Sequence, residues 1–314
     1  LGAPLMLGGD VRNMKPFAER LVLNPGLLSL NQDEEGRVPQ LRVEFDDDDN
    51  LWDSWGPKAG DRISVSEKGA AATGAMYVRE CVPEAGGYVI RADALPKGDA
   101  PALRSWESTT FRTVVKQLAS ALGLTVKFHG GSDMVYQYVE QASEGALPVI
   151  ARLCAYAGCI FDVYDGVMHV CARSWVEAQP SNGTVEVDNS GGYQYKSRRV
   201  YTGCSLTQTA IRRKRKQIAA STGNSRRMLA IELDHRIGFA GSSALNRACS
   251  GILACVNARQ SCGCERLDEL SPYTPGSIVT VACEGSPSLS GKAVVTKVRN
   301  DFVHGKAKVW WRQL

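Results

Sequence analysis

Short runs in which apolar and polar residues alternate crowd both ends of this 314-residue chain, and one helix-bearing stretch separates them. That layout is the strongest constraint on the fold. A two-residue period puts every second side chain on one face, so each run is a half-buried strand that needs neighbours. Leu41–Phe45 and Arg62–Ser66 follow the period. Met76–Cys81 and Tyr88–Ala92 flank Pro83-Glu84-Ala85-Gly86-Gly87, a hairpin with a Gly-containing loop. Several strands at short spacing, with no helical period between them, predict a small barrel or sandwich over residues 1–100. Strands return at about 193–208 and 227–233, and then at Ser277–Cys283, Lys292–Arg299 and Lys306–Arg312.

The middle of the chain has a different texture. Phe111, Val114, Val115, Leu118, Ala119 and Leu122 form one apolar stripe, which predicts an amphipathic helix capped by Ser108 or Thr109 and stopped by Gly123. Leu124–Phe128 reads as a strand. Leu147, Ile150, Ala151, Cys154 and Ala157 share the face of a second helix that Gly158 ends. Pro148 belongs in its first turn, where a missing N–H costs nothing, and Ser143 offers an earlier cap. Asp165-Gly166 lies between two strand-like runs, the strongest short hairpin signal. Gln179–Gly192 is polar and turn-rich and reads as a linker. A third helix follows Ser242 or Ser243, with Leu245, Ala248, Cys249, Ile252 and Val256 on one face.

Composition narrows the possible roles. No stretch approaches the ~20 apolar residues of a membrane span, so no membrane anchor is expected. The opening Leu1–Gly9 lacks the cationic start of a signal peptide, and export by the general secretory route is not expected. A net charge of +4 and 7% aromatic residues fall short of a dedicated nucleic-acid binder. The 10 cysteines are too sparse for a disulfide scaffold, and reduced core thiols are expected. The Cys255, Cys262 and Cys264 spacing does not match structural zinc knuckles.

Several strings recur in a telling order. Pro57-Lys58-Ala59-Gly60-Asp61-Arg62-Ile63-Ser64-Val65 precedes Met76–Glu80, Ile90-Arg91-Ala92-Asp93-Ala94 and Ser105-Trp106-Glu107-Ser108-Thr109. Gln141-Ala142-Ser143-Glu144 precedes a helix with Arg152-Leu153, then Ala157-Gly158-Cys159-Ile160-Phe161 and Asp165-Gly166. Pro275-Gly276, Gly291 and Val294–Val298 close the pattern. From about residue 41 to 314, this resembles the hub proteins of contractile phage tails, the late-control protein D family, related to the hub half of type VI secretion spikes.

The resemblance implies a β-rich α+β fold, with two tail-tube-like β-barrel domains joined by an α/β insertion. Their expected bounds are 1–104 for the first barrel, 105–178 for the connecting unit and 179–314 for the second barrel, with a helical insertion near 242–260. It further implies a homotrimeric symmetry adaptor in which six barrels face a hexameric tail tube, or tube-initiator protein, while a trimeric spike meets the threefold face. Baseplate wedge proteins would be neighbours, and passing DNA would contact the lumen transiently. The spike would be a separate chain. Assembly would take place in the bacterial cytoplasm, and the finished location would be the baseplate.

Residue chemistry gives no enzymatic signature: G-x-S-x-G, H-E-x-x-H and a Walker glycine loop are all missing from the sequence, and no cofactor is expected. Asp234-His235 is the one adjacent acid–His pair, and neighbours in sequence do not face each other in regular structure. Glu140 and Glu144 would share a helical face as paired carboxylates, or serve as a solvated face or in a capping role. Asp46–Asp49 lacks the alternating ligands of a calcium loop and reads as a solvated loop, a cation contact or a subunit contact. Trp52 and Trp55 flank it, and Trp106, Trp175, Trp310 and Trp311 are expected at element ends, as subunit anchors or as core. Arg212-Arg213-Lys214-Arg215-Lys216, supported by Arg198, Arg199, Arg226 and Arg227, is the most basic segment. It fits an acidic neighbour, a solvated loop or phosphate. Trp52, Trp55 and Arg212–Lys216 are thus the candidate interface residues. The alternative function is a basic β-rich nucleic-acid-binding protein of a mobile element, with a nuclease third.

Overall fold

A computed structural model describes residues 6–7, 25–33, 37–46, 56–84, 86–187, 194–197, 199–209, 217–233, 235–258, 260–285 and 287–314. The chain opens with strands β1 (Met6–Leu7), β2 (Pro25–Asp33), β3 (Arg37–Asp46), β4 (Arg62–Ile63), β5 (Val65–Ser66), β6 (Met76–Glu84) and β7 (Gly87–Asp93). The middle runs β8 (Ala102–Thr110), α1 (Phe111–Ala121), β9 (Thr125–His129), β10 (Val135–Glu144), α2 (Ala146–Ala157), β11 (Cys159–Tyr164), β12 (Val167–Ala172) and α3 (Arg173–Glu177). Then follow β13 (Thr184–Glu186), β14 (Gln194–Ser197), β15 (Gly203–Thr209), β16 (Gln217–Gly223), β17 (Met228–Glu232), β18 (Ile237–Phe239) and α4 (Ser242–Asn257). The chain closes with β19 (Ser261–Leu267), β20 (Ile278–Ala282), β21 (Gly291–Asp301) and β22 (Lys306–Gln313).

The fold is β-rich α+β, with two curled half-barrels separated by helix- and strand-bearing insertions, as expected. Both halves have the same strand order. In the first, β2 pairs with β3, β3 with β7, β7 with β6 and β6 with β4, every pair antiparallel. In the second, β14 pairs with β19, β19 with β22, β22 with β21 and β21 with β20, again all antiparallel. Chain order across each half is therefore lead, first, fourth, third, second. The two join where β2 runs antiparallel to β21, with Ser29 opposite Asp301 and Asp33 opposite Lys297. Strands β4 and β14 end this continuous path.

Alternation builds these strands. In β22, Ala307, Val309 and Trp311 point inward while Lys306 is exposed and Lys308 and Trp310 are half-buried. The Lys297 and Lys308 ammoniums lie 5.3 and 5.1 Å from the Trp310 ring centroid. These tryptophans lie inside a strand, as Trp106 does in β8, rather than at element ends. A strand interior is where a half-buried pleated face accommodates a large ring.

The insertions pack together. One connects the halves; the other lies between β14 and β19. They meet where β18 pairs with β10, and α1, α2 and α4 contribute to one core with Val38, Leu41, Val43, Met76 and Val78 of the first half. The second half has its own core around Val279, Val295, Val309 and Trp311. Ile160, Val176, Ile278 and Val294 bridge it to the β9–β12–β11 sheet.

Local details differ from expectation. Thr110 caps α1, accepting from Thr113 N at 3.3 Å. No side chain of the α2 N-cap, Gly145, caps that helix. Asp99 accepts instead from Ala146 N at 2.5 Å and Leu147 N at 3.1 Å. Glu140 and Glu144 lie on strand β10, not on a helical face. There the Glu144 carboxylate takes Arg152 at 2.7 Å and Arg236 at 3.4 Å. The polar stretch 179–192 contains β13, which pairs in parallel with β20.

Candidate subunit interface

Trp52, Trp55, Asp47–Asp49 and Arg212–Lys216 lie outside the described residues. In the chain, the acidic run and both tryptophans belong to the connection from β3 to β4, and the basic run to that from β15 to β16. Strands β15 and β16 pair from Gly203↔Gly223 to Thr209↔Gln217. Arg199, Arg226 and Arg227 adjoin the Gly203–Gly223 end, about 20 Å from the other at ~3.3 Å per residue.

Arg199 and Arg227 belong to one feature built from parts of three segments. Tyr201 N donates to Asn257 Oδ1 at 2.9 Å, and Asn257 Nδ2 donates to Tyr201 O at 2.8 Å, which clamps the strand entry to the end of α4. Arg227 N donates to Thr202 Oγ1 at 2.8 Å, and Thr202 N to Arg227 O at 2.9 Å. The Arg227 guanidinium lies 5.1 Å from the Tyr201 ring centroid, a cation–π distance. Between these segments opens a cleft of 450 Å³, lined by Arg199, Val200, Tyr201, Arg227, Val256, Asn257 and Gln260. Val256 is 45% exposed. The lining carries two guanidiniums and no carboxylate. No single motif announces this cleft, because its residues are some sixty positions apart and meet only through the α4 clamp.

A second surface is an edge. Strand β8 ends the β18-β10-β8 sheet and, among the described residues, pairs only with β10. Leu103 is 75% exposed, and Arg104, Ser105, Glu107 and Ser108 are also exposed. Such an edge presents backbone donors and acceptors to another chain.

Titratable clusters occur elsewhere. His129 Nε2 and His169 Nδ1 are 3.1 Å apart, with Trp175 tilted beside His129. Burial, His129 and Lys127 hold the His169 pKa below its ordinary value. Burial pushes Asp162 up to about 7, Cys159 to about 12, and Cys171 and Cys204 to about 11. All ten cysteines are free thiols. Cys255 Sγ donates to Ala155 O at 3.6 Å, which gives it a capping role at the end of α2. Among the described residues, no three His, Cys, Asp or Glu side chains converge to hold a metal ion. Ser290 Oγ is occupied by the Cys283 backbone, accepting from its N at 2.9 Å. Asp234 lies outside the described residues. No helix among the described residues is long and apolar enough to cross a membrane.

Two half-barrels of like topology, with insertions packed at their junction, define a fold shared with phage tail proteins. The structure aligns with the 43 kDa tail protein of prophage MuSo2 from Shewanella oneidensis at 12% identity and a TM-score of 0.68, covering 99% of this chain and 97% of that one. A tail protein from Neisseria meningitidis MC58 aligns at 9% identity and 0.69, covering 99% and 96%. The E. coli c3393 protein, a type VI secretion component described as similar to the T4 tail proteins gp27 and gp5, aligns at 10% and 0.57, covering 99% and 77%. No protein-family model matches the chain. No curated protein matches it.

Proposed function

We propose that this chain is a structural hub of a phage tail or a related injection machine, a homotrimeric adaptor between a trimeric spike and a hexameric tail tube. One observation carries this reading: the same five-strand order occurs twice in one polypeptide. Three copies of a chain with two like modules present six, so a threefold ring offers a pseudo-sixfold face. The fold shared with solved tail proteins supports the setting. The modules are assigned as 1–104 and 179–314, with 105–178 between them. Wedge proteins would surround the ring, and DNA would pass through its lumen. The chain works by docking, with no bond made or broken.

Sedimentation of the full chain, alone and with a candidate spike protein, tests the proposal. Three copies per particle are expected, with class averages in the electron microscope showing six barrel densities. A chain that stays monomeric in both conditions, or closes with another symmetry, overturns the reading. Salt-sensitive duplex binding that disappears when 212–216 are neutralised would favour the nucleic-acid alternative.

A further inference from the structure

The cleft and the acidic run have opposite charge and adjoin, along the chain, two different strands of one continuous sheet, β14 and β3. The path of that sheet begins at β14 and finishes at β4. Arg199 follows the last residue of β14, Ser197, by two positions, and the cleft opens there. Asp46–Asp49 lead the connection into β4, with Trp52 and Trp55 in the same connection. The cleft offers Arg199 and Arg227 to carboxylates, and Val200, Val256 and the Tyr201 ring to an apolar or aromatic side chain. The sequence Asp46-Asp47-Asp48-Asp49-Asn50-Leu51-Trp52 supplies both chemistries in that order.

We infer that the Arg199–Arg227 cleft of one copy receives the Asp46–Trp52 segment of the next. Such a contact joins two different patches, so it is heterologous, and a rotation that closes makes a ring rather than a pair. Charge complementarity sets the register and the direction of encounter. The indole and the valines add the desolvated centre that interfaces place behind charged contacts. This inference rests on the homotrimer proposed above and names the surfaces that close it.

Charge reversal is the test, read by sedimentation of the full chain at low and high salt, with circular dichroism and the melting temperature as folding controls. R199E/R227E and D47K/D48K should each weaken self-association roughly 10- to 100-fold at low salt. A chain carrying all four changes should reassemble, because the pairs are restored with their signs exchanged. A wild-type trimer that neither double variant disturbs overturns this inference and leaves the hub reading standing. A wild type that stays monomeric both alone and with the candidate spike protein overturns both. If R199E/R227E loses binding of a labelled 20-mer duplex while its sedimentation is unchanged, the cleft is a nucleic-acid site and the inference is wrong. If D47K/D48K lowers the melting temperature without changing sedimentation, the segment lies in its own chain's cleft, which also overturns it.

Discussion

Asp162 shows how one residue's surroundings set a pH response for the whole chain. It lies on β11 opposite His169, on a face that also carries Ile160, and burial raises its carboxyl from an ordinary 3.8 to about 7. The folded state thus prefers the protonated acid. That contribution is fully present below pH 3.8 and is lost as pH rises towards 7. His169 works in the opposite sense: its pKa is held down, so its contribution is lost as pH falls below the ordinary histidine range. Asp162→Asn separates the two. It should leave stability near pH 4 unchanged and raise it at pH 8 by roughly 1–2 kcal/mol, the shift being discounted because Asp162 is only half-buried. Urea midpoints at both pH values check this; parallel pH curves for the two proteins would refute it. The thiols give a second expectation. Burial holds Cys154, Cys159 and Cys204 largely protonated, and the thiolate is the nucleophile. A short iodoacetamide pulse at pH 8 should therefore label half-buried Cys262 before these three, as read by peptide mass spectrometry.

Helix α2 shows how distant residues fix the two ends of an element. The Asp99 carboxylate approaches its first turn so closely that a Cβ on Gly145 would lie 2.3 Å from Oδ2. At the other end, Gly158 takes the left-handed conformation at φ 65° and Gly251 of α4 lies against it. A Cβ on Gly251 would meet the Tyr156 carbonyl oxygen at 2.2 Å, and this is backbone that cannot swing aside. Gly251→Ala should therefore destabilise the fold by roughly 1–3 kcal/mol through forced separation of α2 from α4. Asp99→Ala should cost about 1 kcal/mol through the lost cap. Chemical denaturation checks both; a neutral Gly251→Ala would mean that the two helices are not in contact. These partners are 47 and about 95 positions away, so no local pattern shows them. The α1 stripe, the Gly158 stop and the Asp165-Gly166 hairpin were legible because each is complete within a short window. Strands β8 and β10 were not, because Ser108 at φ 47° interrupts the two-residue period of β8, and the register of β10 shifts between Tyr136 and Tyr138 and again at Ser143. The cleft escaped detection for the same reason as the Asp99 cap: its cations become neighbours only once α4 folds back onto Tyr201.

At the scale of the molecule, duplication and insertion have unequal effects on the two cores. The sequence showed an echo of strand-rich ends, but the repeated order was hidden, because the second lead strand β14 is separated from β19 by the whole β15–α4 insertion. That insertion packs into the core of the first half, whereas the second half keeps Val279, Val295, Val298, Val309 and Trp311 to itself. Among the described residues, the cores are connected by the β2–β21 ladder, by the small Ile160–Val176–Ile278–Val294 contact, and by Leu270 and Phe302, which reach into the first core. Two cores with so few shared side chains should open as separate units, because stability within a chain follows local burial. Trp311 is 1% exposed, and its truncation to alanine leaves a cavity that costs roughly 3–5 kcal/mol. In Trp311→Ala, amide exchange should rise by orders of magnitude across β19–β22, while α1, α2 and β11 stay protected as in the wild type. A uniform rise would show a single cooperative unit in which the two half-barrels cannot move independently. A localised rise would show a second half-barrel able to yield without loosening the first.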